Sequence, residues 1–236
     1  MTVYNDIKIE DGGGSIEGNA DLTIAGSLTD GGKKDGILSF DNLGNTTLTG
    51  DNSDYERDIS VASGSLIIDS NTGSGSLYIS EGAWLGGSGV IDGDLFVDGT
   101  LDLSNGIGFG GDIGFGNNAN IELTLGNSLG DGLLSGLVGA SGLDATILIL
   151  ILGDGFEYGT TYSIFGDTSI VLSDFASVRV IDSNNTPLDV VIRTPSNGSS
   201  GIEIVVPELK SAALILGLFG LGFSQFRRKP LEVIRN

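Results

Sequence analysis

The chain contains no cysteine and no histidine among its 236 residues. Their absence excludes disulfide bonds, thiolate chemistry, zinc sites made of Cys and His, and any Ser-His or Cys-His catalytic pair. A chain without disulfide bonds must be held together by side-chain packing and backbone hydrogen bonds alone. Repeat architectures can meet that demand, because each added unit buries surface against its neighbour.

Proline is scarce, with 4 residues, whereas glycine is abundant, with 40. No Gly-X-Y period accompanies the glycines, which excludes a collagen-like chain, and the low proline content excludes a Pro-rich disordered one. Hydrophobic residues make up 39% of the chain and fall in short runs separated by Gly, Asn, Asp and Ser. Short apolar runs between frequent turns predict an all-β protein.

Cations are also few, since 11 Lys and Arg residues face 31 acidic ones and the net charge is −20. Five of the cations follow residue 208, which leaves residues 1–208 strongly acidic. An acidic body repels nucleic acid and anionic lipid, so no nucleic-acid partner is expected. Charge of this kind is more typical of solubility and cation screening than of one specific binding site.

The strand-like runs place apolar residues at positions i and i+2, as in Leu22 and Ile24 or Leu66 and Ile68. Because successive side chains of a strand point to opposite faces, each run offers one narrow apolar face. The runs recur about every ten residues, which fits a sandwich with hairpins or a β-solenoid with one short strand per face of each coil. The tight Asn-Gly and Asp-Gly turns of a hairpin meander are not systematic, so the pattern favours the solenoid.

A family resemblance lies in residues 46–106. This stretch contains TTLTGDN at residues 46–52, SGSLIID at residues 63–69 and GAWLGGSGVIDG at residues 82–93. The three motifs resemble the autotransporter-associated β-strand repeat of large bacterial surface proteins. The resemblance implies a right-handed parallel β-helix lined by stacked Leu, Ile and Val. In that family such repeats serve as extended surface scaffold or passenger, without catalysis.

The strand-like runs become longer from Asp144 onward. Residues 1–143 are interpreted as the β-solenoid, and the longer strand-like runs of residues 144–206 as a terminal β cap on the same column. Within the cap, Ile147–Leu152 is apolar on both faces, which is typical of a fully buried strand. The predicted fold is therefore an all-β, right-handed parallel β-helix with a C-terminal β cap and one C-terminal hydrophobic helix.

Four aspartates, Asp92, Asp94, Asp98 and Asp102, stand at even spacings and are called the acid row below. On extended backbone they would share one face and could bind Ca²⁺ through their oxygens. Two alternatives stay open for them. The abundance of acids in the chain favours a solvated acidic face. The alternative is a calcium site. No cofactor other than Ca²⁺ is expected.

A polysaccharide-active β-helix enzyme is the competing interpretation. Hydrolysis needs two carboxylates at a defined separation, one of them with a raised pKa in a pocket. No such pair stands out among the many acids, and the cations of residues 1–208 are scattered. Trp84 near Tyr78 suggests a sugar-stacking platform, although an aromatic pair on a strand is more often core or corner packing. No enzymatic activity and no catalytic residue are predicted.

An apolar run of the C-terminal region, residues 211–226, is followed directly by Arg227, Arg228 and Lys229. As a helix this run would span about 24 Å, a little less than a hydrocarbon core of about 30 Å. By the positive-inside rule the basic cluster stays in the cytoplasm and the acidic body lies across the membrane. These features predict one hydrophobic helix near the C-terminus.

The apolar run stands within an ordered arrangement that begins with Val206, Pro207 and Glu208, continues through a small-residue spacer and ends in the basic cluster. This order resembles the PEP-CTERM tail of bacterial proteins. The resemblance implies sorting by an exosortase-type membrane protease, which cleaves near the tripeptide and releases the body toward the envelope or matrix. Residues 207–229 are then the sorting and transmembrane tail, and residues 230–236 a short cytoplasmic tail.

The first residues, MTVYNDIKIEDGGG, show neither the basic n-region nor the apolar h-region of a signal peptide. The chain is therefore interpreted as the C-terminal part of a longer product or as having a misplaced start. The predicted function is that of a non-enzymatic, exported bacterial surface or extracellular-matrix protein. Its predicted partners are the protease, the membrane, and the cell envelope or exopolysaccharide matrix. The alternatives are a polysaccharide-active β-helix enzyme and a calcium-stiffened adhesin or autotransporter passenger fragment.

Overall fold

The computed structural model describes residues 1–32, 35–126, 136–157, 161, 162, 164, 170–193 and 202–205. Within them the chain is all-β, and parallel strands form a β-solenoid of about six turns. The predictions of an all-β class and of a solenoid are confirmed. Short 3₁₀ helices include Leu143–Ala145 and Leu172–Asp174. The strands are β1 (Thr2–Val3), β2 (Ile7–Ile9), β3 (Gly14–Gly18), β4 (Leu22–Ile24), β5 (Leu28–Asp30), β6 (Leu38–Leu48), β7 (Ile59–Ile68), β8 (Leu77–Ile79), β9 (Trp84–Gly87), β10 (Val90–Ile91), β11 (Leu95–Val97), β12 (Thr100–Asp102), β13 (Gly108–Phe109), β14 (Ile113–Phe115), β15 (Asn120–Leu125), β16 (Ile147–Leu152), β17 (Thr161–Tyr162), β18 (Ser177–Asp182), β19 (Val191–Arg193) and β20 (Ile202–Val205).

One parallel ladder runs through the molecule in the order β1-β4-β6-β7-β9-β12-β15-β16-β18. A second ladder stacks β7, β8, β11 and β14, and β10 pairs with β13 in a third. The long strands β6 and β7 extend over two faces of the solenoid. The first half of β7 pairs with β8, and its second half pairs with β9. The register between β6 and β7 shifts near Asp41 and Asn42, and such irregularities bend a strand.

Apolar side chains of successive coils stack along the second ladder. The register aligns Ile59, Leu77, Leu95 and Ile113, each eighteen residues after the one before. Neighbouring strands lie about 4.8 Å apart, so these four buried side chains form a continuous apolar column. Each coil thus buries its narrow apolar face against the coils before and after it, which a single run cannot do.

Burial alternates along the coil that carries the acid row. From residue 91 to residue 103 every odd-numbered residue is buried and every even-numbered one is at least partly exposed. The alternation continues through the corners at Gly93 and Gly99, where a Cβ atom would collide with a carbonyl oxygen of the preceding coil. Only glycine allows this close approach of two backbones. The i, i+2 pattern of the sequence is therefore confirmed in this coil.

A buried cation joins the N-terminal coils. The Arg57 guanidinium donates through Nε to Asp30 Oδ1 at 3.0 Å, and through Nη1 to the carbonyl oxygens of Glu10 at 2.7 Å and Asp35 at 3.0 Å. Arg57 is 1% exposed. Burial of a charge costs a large amount of solvation free energy, which is offset only when the charge is paired and hydrogen-bonded. Arg57 is therefore a part of the core and not one of several scattered surface cations.

The parallel ladder continues into the region interpreted as the cap. The six residues of β16 pair in register with β15 on one side and with β18 on the other. The leucines of β16 are buried, but its isoleucines are only partly so. The prediction that Ile147–Leu152 is fully buried is therefore wrong, because the solenoid covers only its inner face. The strands β17, β20 and β19 form a separate antiparallel sheet.

The predicted tail lies outside the described residues. This applies to the hydrophobic helix, to Val206, Pro207 and Glu208, and to the basic cluster at residues 227–229. In the part of the chain that the structure describes, no helix has the length and apolar character needed to cross a bilayer.

Candidate functional site

The acid row occupies outward positions of one coil, but the coil turns between its members. Asp92 and Asp94 flank the corner between β10 and β11, Asp98 lies in the corner before β12, and Asp102 ends β12. Because β10, β11 and β12 stack in three separate ladders, the four carboxylates do not share one face. Among the described residues, no group of three or more acidic side chains is placed to hold a metal ion. The calcium site stays a prediction.

Three carboxylates of the acid row already accept hydrogen bonds within the solenoid. Asp94 Oδ1 accepts from the Asp112 N–H at 3.0 Å, and Asp92 Oδ2 accepts from Asn71 Nδ2 at 2.7 Å. Asp102 Oδ1 accepts a backbone N–H two residues further on at 2.8 Å. Backbone donors at the corners lie outside the ladders and need such acceptors. These three aspartates therefore have a structural role in joining and closing the coils.

Aspartates on other coils also accept backbone hydrogen bonds. Asp58 Oδ1 accepts from the Ser76 N–H at 2.9 Å, and Asp69 Oδ1 accepts from the Ser88 N–H at 3.2 Å. Much of the acidity of the chain is thus used to bind one coil to the next. Asp98 differs from its neighbours, because no residue that the structure describes donates a hydrogen bond to its carboxylate.

Tyr78 and Phe96 form an exposed aromatic pair. They lie in register on β8 and β11, with ring centroids 5.1 Å apart and ring planes within 11° of each other. Tyr78 is 37% exposed and Phe96 is 44% exposed. Trp84, which lies near Tyr78 in the sequence, belongs to β9 in a different ladder. The aromatic partner of Tyr78 is thus the residue one coil away.

A cleft of about 460 Å³ lies beside the aromatic pair and is called the aromatic cleft below. It joins an apolar wall to hydroxyl and carboxylate groups, the combination typical of binding sites for small polar molecules. The side chains of interest are those of Tyr78, Phe96, Ser80, Asp98 and Ser141.

A second group of side chains, Trp84, Asp102 and Glu122, lies on the ladder of β9, β12 and β15. Asp102 and Glu122 are in register on neighbouring strands, and Trp84 Nε1 donates to Glu122 Oε2 at 3.3 Å. Burial raises the pKa of Glu122 above its ordinary value; the Trp84 hydrogen bond lowers it, and the Asp102 charge adds to the increase. The structure therefore brings together a carboxylate pair that the sequence did not single out.

This carboxylate pair has some of the features of a glycoside hydrolase active site. A carboxyl group with a raised pKa beside an ionised one can serve acid and base roles. The two residues are in register on neighbouring parallel strands, whose backbones lie about 4.8 Å apart, and a glycosidase needs two carboxylates on the same face at a defined separation. Both groups are engaged, however, Asp102 by Ser104 and Glu122 by Trp84. Glu122 also borders a second cleft of about 490 Å³ whose walls are mainly apolar.

The chain matches no protein-family model, no curated protein and no solved structure. The likenesses to the autotransporter-associated repeat and to the PEP-CTERM tail therefore rest on the sequence motifs and stay predictions. In the structure, the motif at residues 82–93 forms β9, β10 and the turns on either side of them.

Proposed function

We propose that the protein is a non-enzymatic, exported structural protein of a bacterial surface or extracellular matrix, built on a right-handed parallel β-helix. The observation that supports this most is the continuous parallel ladder from β1 to β18. Such a column presents long faces of ordered side chains and gains stability with each coil. It also needs no disulfide bond, which suits a chain without cysteine that works outside the cell.

The outward polar groups support a scaffold role, because many of them serve the solenoid itself. The carboxylates of Asp58, Asp69 and Asp94 each accept a backbone N–H from the next coil. Outward charge of one sign also keeps a long β-surface soluble and opposes pairing with other sheets. A face made for substrate turnover would instead hold free, convergent catalytic groups.

In this proposal the C-terminal region sorts and anchors the scaffold. Residues 144–206 form a terminal β cap, which the extension of the parallel ladder through β16 and β18 supports. Residues 207–229 form a hydrophobic helix with a PEP-CTERM-like signal, supported by Val206, Pro207 and Glu208 and by the basic cluster. An exosortase-type membrane protease acts on this tail, and the body reaches the cell envelope or the exopolysaccharide matrix.

A second candidate function is a polysaccharide-active enzyme, which the register of Asp102 and Glu122 favours. An assay for new reducing ends separates the two. The full chain is incubated with neutral and acidic polysaccharides across the pH range in which carboxyl groups titrate. The scaffold proposal predicts no release above the buffer blank. Release that Glu122→Gln abolishes would establish the enzyme and overturn the scaffold.

The adhesin alternative is tested by metal ions. A calcium-stiffened adhesin or passenger fragment predicts a melting temperature that rises with Ca²⁺ and not with Mg²⁺. The scaffold proposal predicts the same response to both ions, because Asp92, Asp94 and Asp102 already accept hydrogen bonds from the protein.

A further inference from the structure

The outward column on the second ladder consists of Ser60, Tyr78, Phe96 and Gly114, which the register places side by side. Only the two middle positions carry aromatic rings, and both rings are more than one third exposed. They add nothing to the apolar column on the inner face of the same strands. Cross-strand stacking of the two rings stabilises the sheet only modestly, and it leaves exposed aromatic surface in water at a cost in solvation free energy. Its presence as a stacked pair therefore points to a ligand.

Two glycines open the aromatic cleft beside these rings. A Cβ atom at Gly114 would lie 3.3 Å from Phe96 Cδ1, and one at Gly116 would collide with Asp98 Oδ1. The absence of side chains at both positions leaves the Phe96 ring and the Asp98 carboxylate open to the cleft. Ser80 and Ser141 add hydroxyl groups to the same wall.

Asp98 is the member of the acid row whose carboxylate accepts no hydrogen bond from the described part of the solenoid. The other three carboxylates of the acid row accept hydrogen bonds from the protein, whereas none of the described residues donates one to Asp98. An ionised carboxylate only accepts hydrogen bonds and can take several at once. A free acceptor next to an exposed aromatic pair suits a ligand with an apolar face and several hydroxyl donors.

We propose that the aromatic cleft binds an uncharged polysaccharide strand. The C–H face of one sugar packs against the rings of Tyr78 and Phe96, and its hydroxyl groups donate to the Asp98 carboxylate. Charge decides the class of glycan. The cleft holds a carboxylate, none of the described residues that line it is a cation, and the chain carries a net charge of −20. Uronate and sulfated glycans are repelled. The inference rests on the proposed function, for which it names the matrix partner.

Affinity electrophoresis and titration calorimetry on the full chain test this site. The probes are laminarin, cellohexaose and dextran as neutral glycans, and polygalacturonate as the anionic one. Tyr78→Ser and Phe96→Ser are expected to weaken binding of the neutral glycan about fivefold each, since an aromatic contact contributes about 1 kcal/mol. Serine already stands at Ser60 in the same column, so the fold tolerates it there. Tyr4→Ser, at a residue that is 78% exposed, is the matched control and leaves affinity unchanged.

A substitution at Asp98 separates hydrogen bonding from packing. Asp98→Ala is expected to weaken binding about tenfold or more, as for a lost hydrogen bond to a charged group, and Asp98→Asn to weaken it less. Circular dichroism of each variant shows whether the fold is kept. Any variant that unfolds is replaced by Phe96→Leu, which keeps an apolar side chain without the ring and is also expected to weaken binding.

Three outcomes overturn the inference: no neutral probe binds at about 10 mM, the aromatic variants bind as well as the wild type, or polygalacturonate binds as tightly as the neutral glycans. A change in oligomeric state on Tyr78→Ser, without glycan binding, would instead assign the surface to a second copy of the chain. The failure of the proposed function is distinguishable, because it appears as release of reducing ends and not as loss of binding.

Discussion

The Arg57 guanidinium and the Asp30 carboxylate form an ion pair, Nε to Oδ1 at 3.0 Å, within the N-terminal coils. The Arg57 side chain is fully buried, and the Asp30 side chain is 14% exposed. Tyr55 is buried in the same corner, where burial and the nearby charge of Asp30 raise the pKa of Tyr55 to about 12. One cation therefore neutralises this corner and joins strands that are far apart in the sequence.

Replacement of Arg57 by methionine tests this corner. Arg57→Met keeps most of the volume but removes the cation that pairs with Asp30 and the guanidinium hydrogen bonds to two carbonyl oxygens. Removal of one member of a buried pair costs about 3 kcal/mol or more, so we expect a loss of about 3 kcal/mol in the free energy of unfolding. Urea unfolding measures it.

The control for this substitution is Lys8→Met. Lys8 pairs with Glu10 at 3.0 Å, but both side chains are more than half exposed. Exposed pairs contribute about 0.5 kcal/mol or less. Equal losses in the two variants would show that Arg57 has no special role in the core.

The corner glycines offer a second test. Gly75, Gly93 and Gly111 stack at intervals of eighteen residues, and a Cβ atom on any of them would collide with a carbonyl oxygen of the preceding coil. We expect Gly93→Ala to lower the free energy of unfolding by about 2 kcal/mol, because the backbones must move apart. Gly14→Ala, at a position with open space around its Cα, is the control. A thermal melt in which both variants equal the wild type would refute the close approach.

Glu122 predicts a pH-dependent effect. Its folded pKa lies above the ordinary value of 4.5, so the folded state binds the proton more tightly than the unfolded state. The contribution of Glu122 to stability is then fully present below pH 4.5 and is lost as the pH rises through the raised pKa. We expect Glu122→Gln, which can still accept from Trp84, to be more stable than the wild type at neutral pH and not at acid pH. Melting curves across pH measure this, and a constant difference would contradict it.

The absence of cysteine makes the coil register directly testable. Ser39 and Ser60 are in register on β6 and β7 and both face outward, so their Cα atoms lie about 4.8 Å apart. A disulfide accepts Cα separations of about 4.4–6.8 Å. We expect the double variant Ser39→Cys, Ser60→Cys to oxidise to an intramolecular disulfide that mass spectrometry detects. The pair Ser39→Cys, Thr100→Cys is out of register and should stay reduced; oxidation of both pairs alike would speak against the register.

The alternation of apolar and polar residues was enough to predict the strands, and the lack of systematic hairpin turns favoured the solenoid over a sandwich. Pairs such as Leu66 and Ile68 are buried as expected, because alternation is a local property of extended backbone. The contacts between coils were not predictable in the same way. The steps from Leu66 to Leu85, then to Leu101 and then to Ile121 are nineteen, sixteen and twenty residues. The second ladder instead steps by eighteen residues, so no single period gives the register of both ladders.

This irregular step explains why the candidate sites differ from those expected. Tyr78 pairs with Phe96 eighteen residues away, and not with Trp84, because a corner separates β8 from β9. The acid row is dispersed for the same reason. Asp102 and Glu122 meet only because one coil happens to span twenty residues at that level. Sites on a solenoid are made by residues one coil apart, and that distance must be known before they can be found.

The most direct test of the central proposal, an exported scaffold with a sorting tail, is mass spectrometry of the C-terminus in fractionated cells. We expect protein in the envelope or the medium to end at a new C-terminus near Pro207 and Glu208. The intact RRKPLEVIRN sequence should then be confined to the membrane fraction. Protein that keeps RRKPLEVIRN and is found only in the soluble cytoplasmic fraction would contradict export and sorting together.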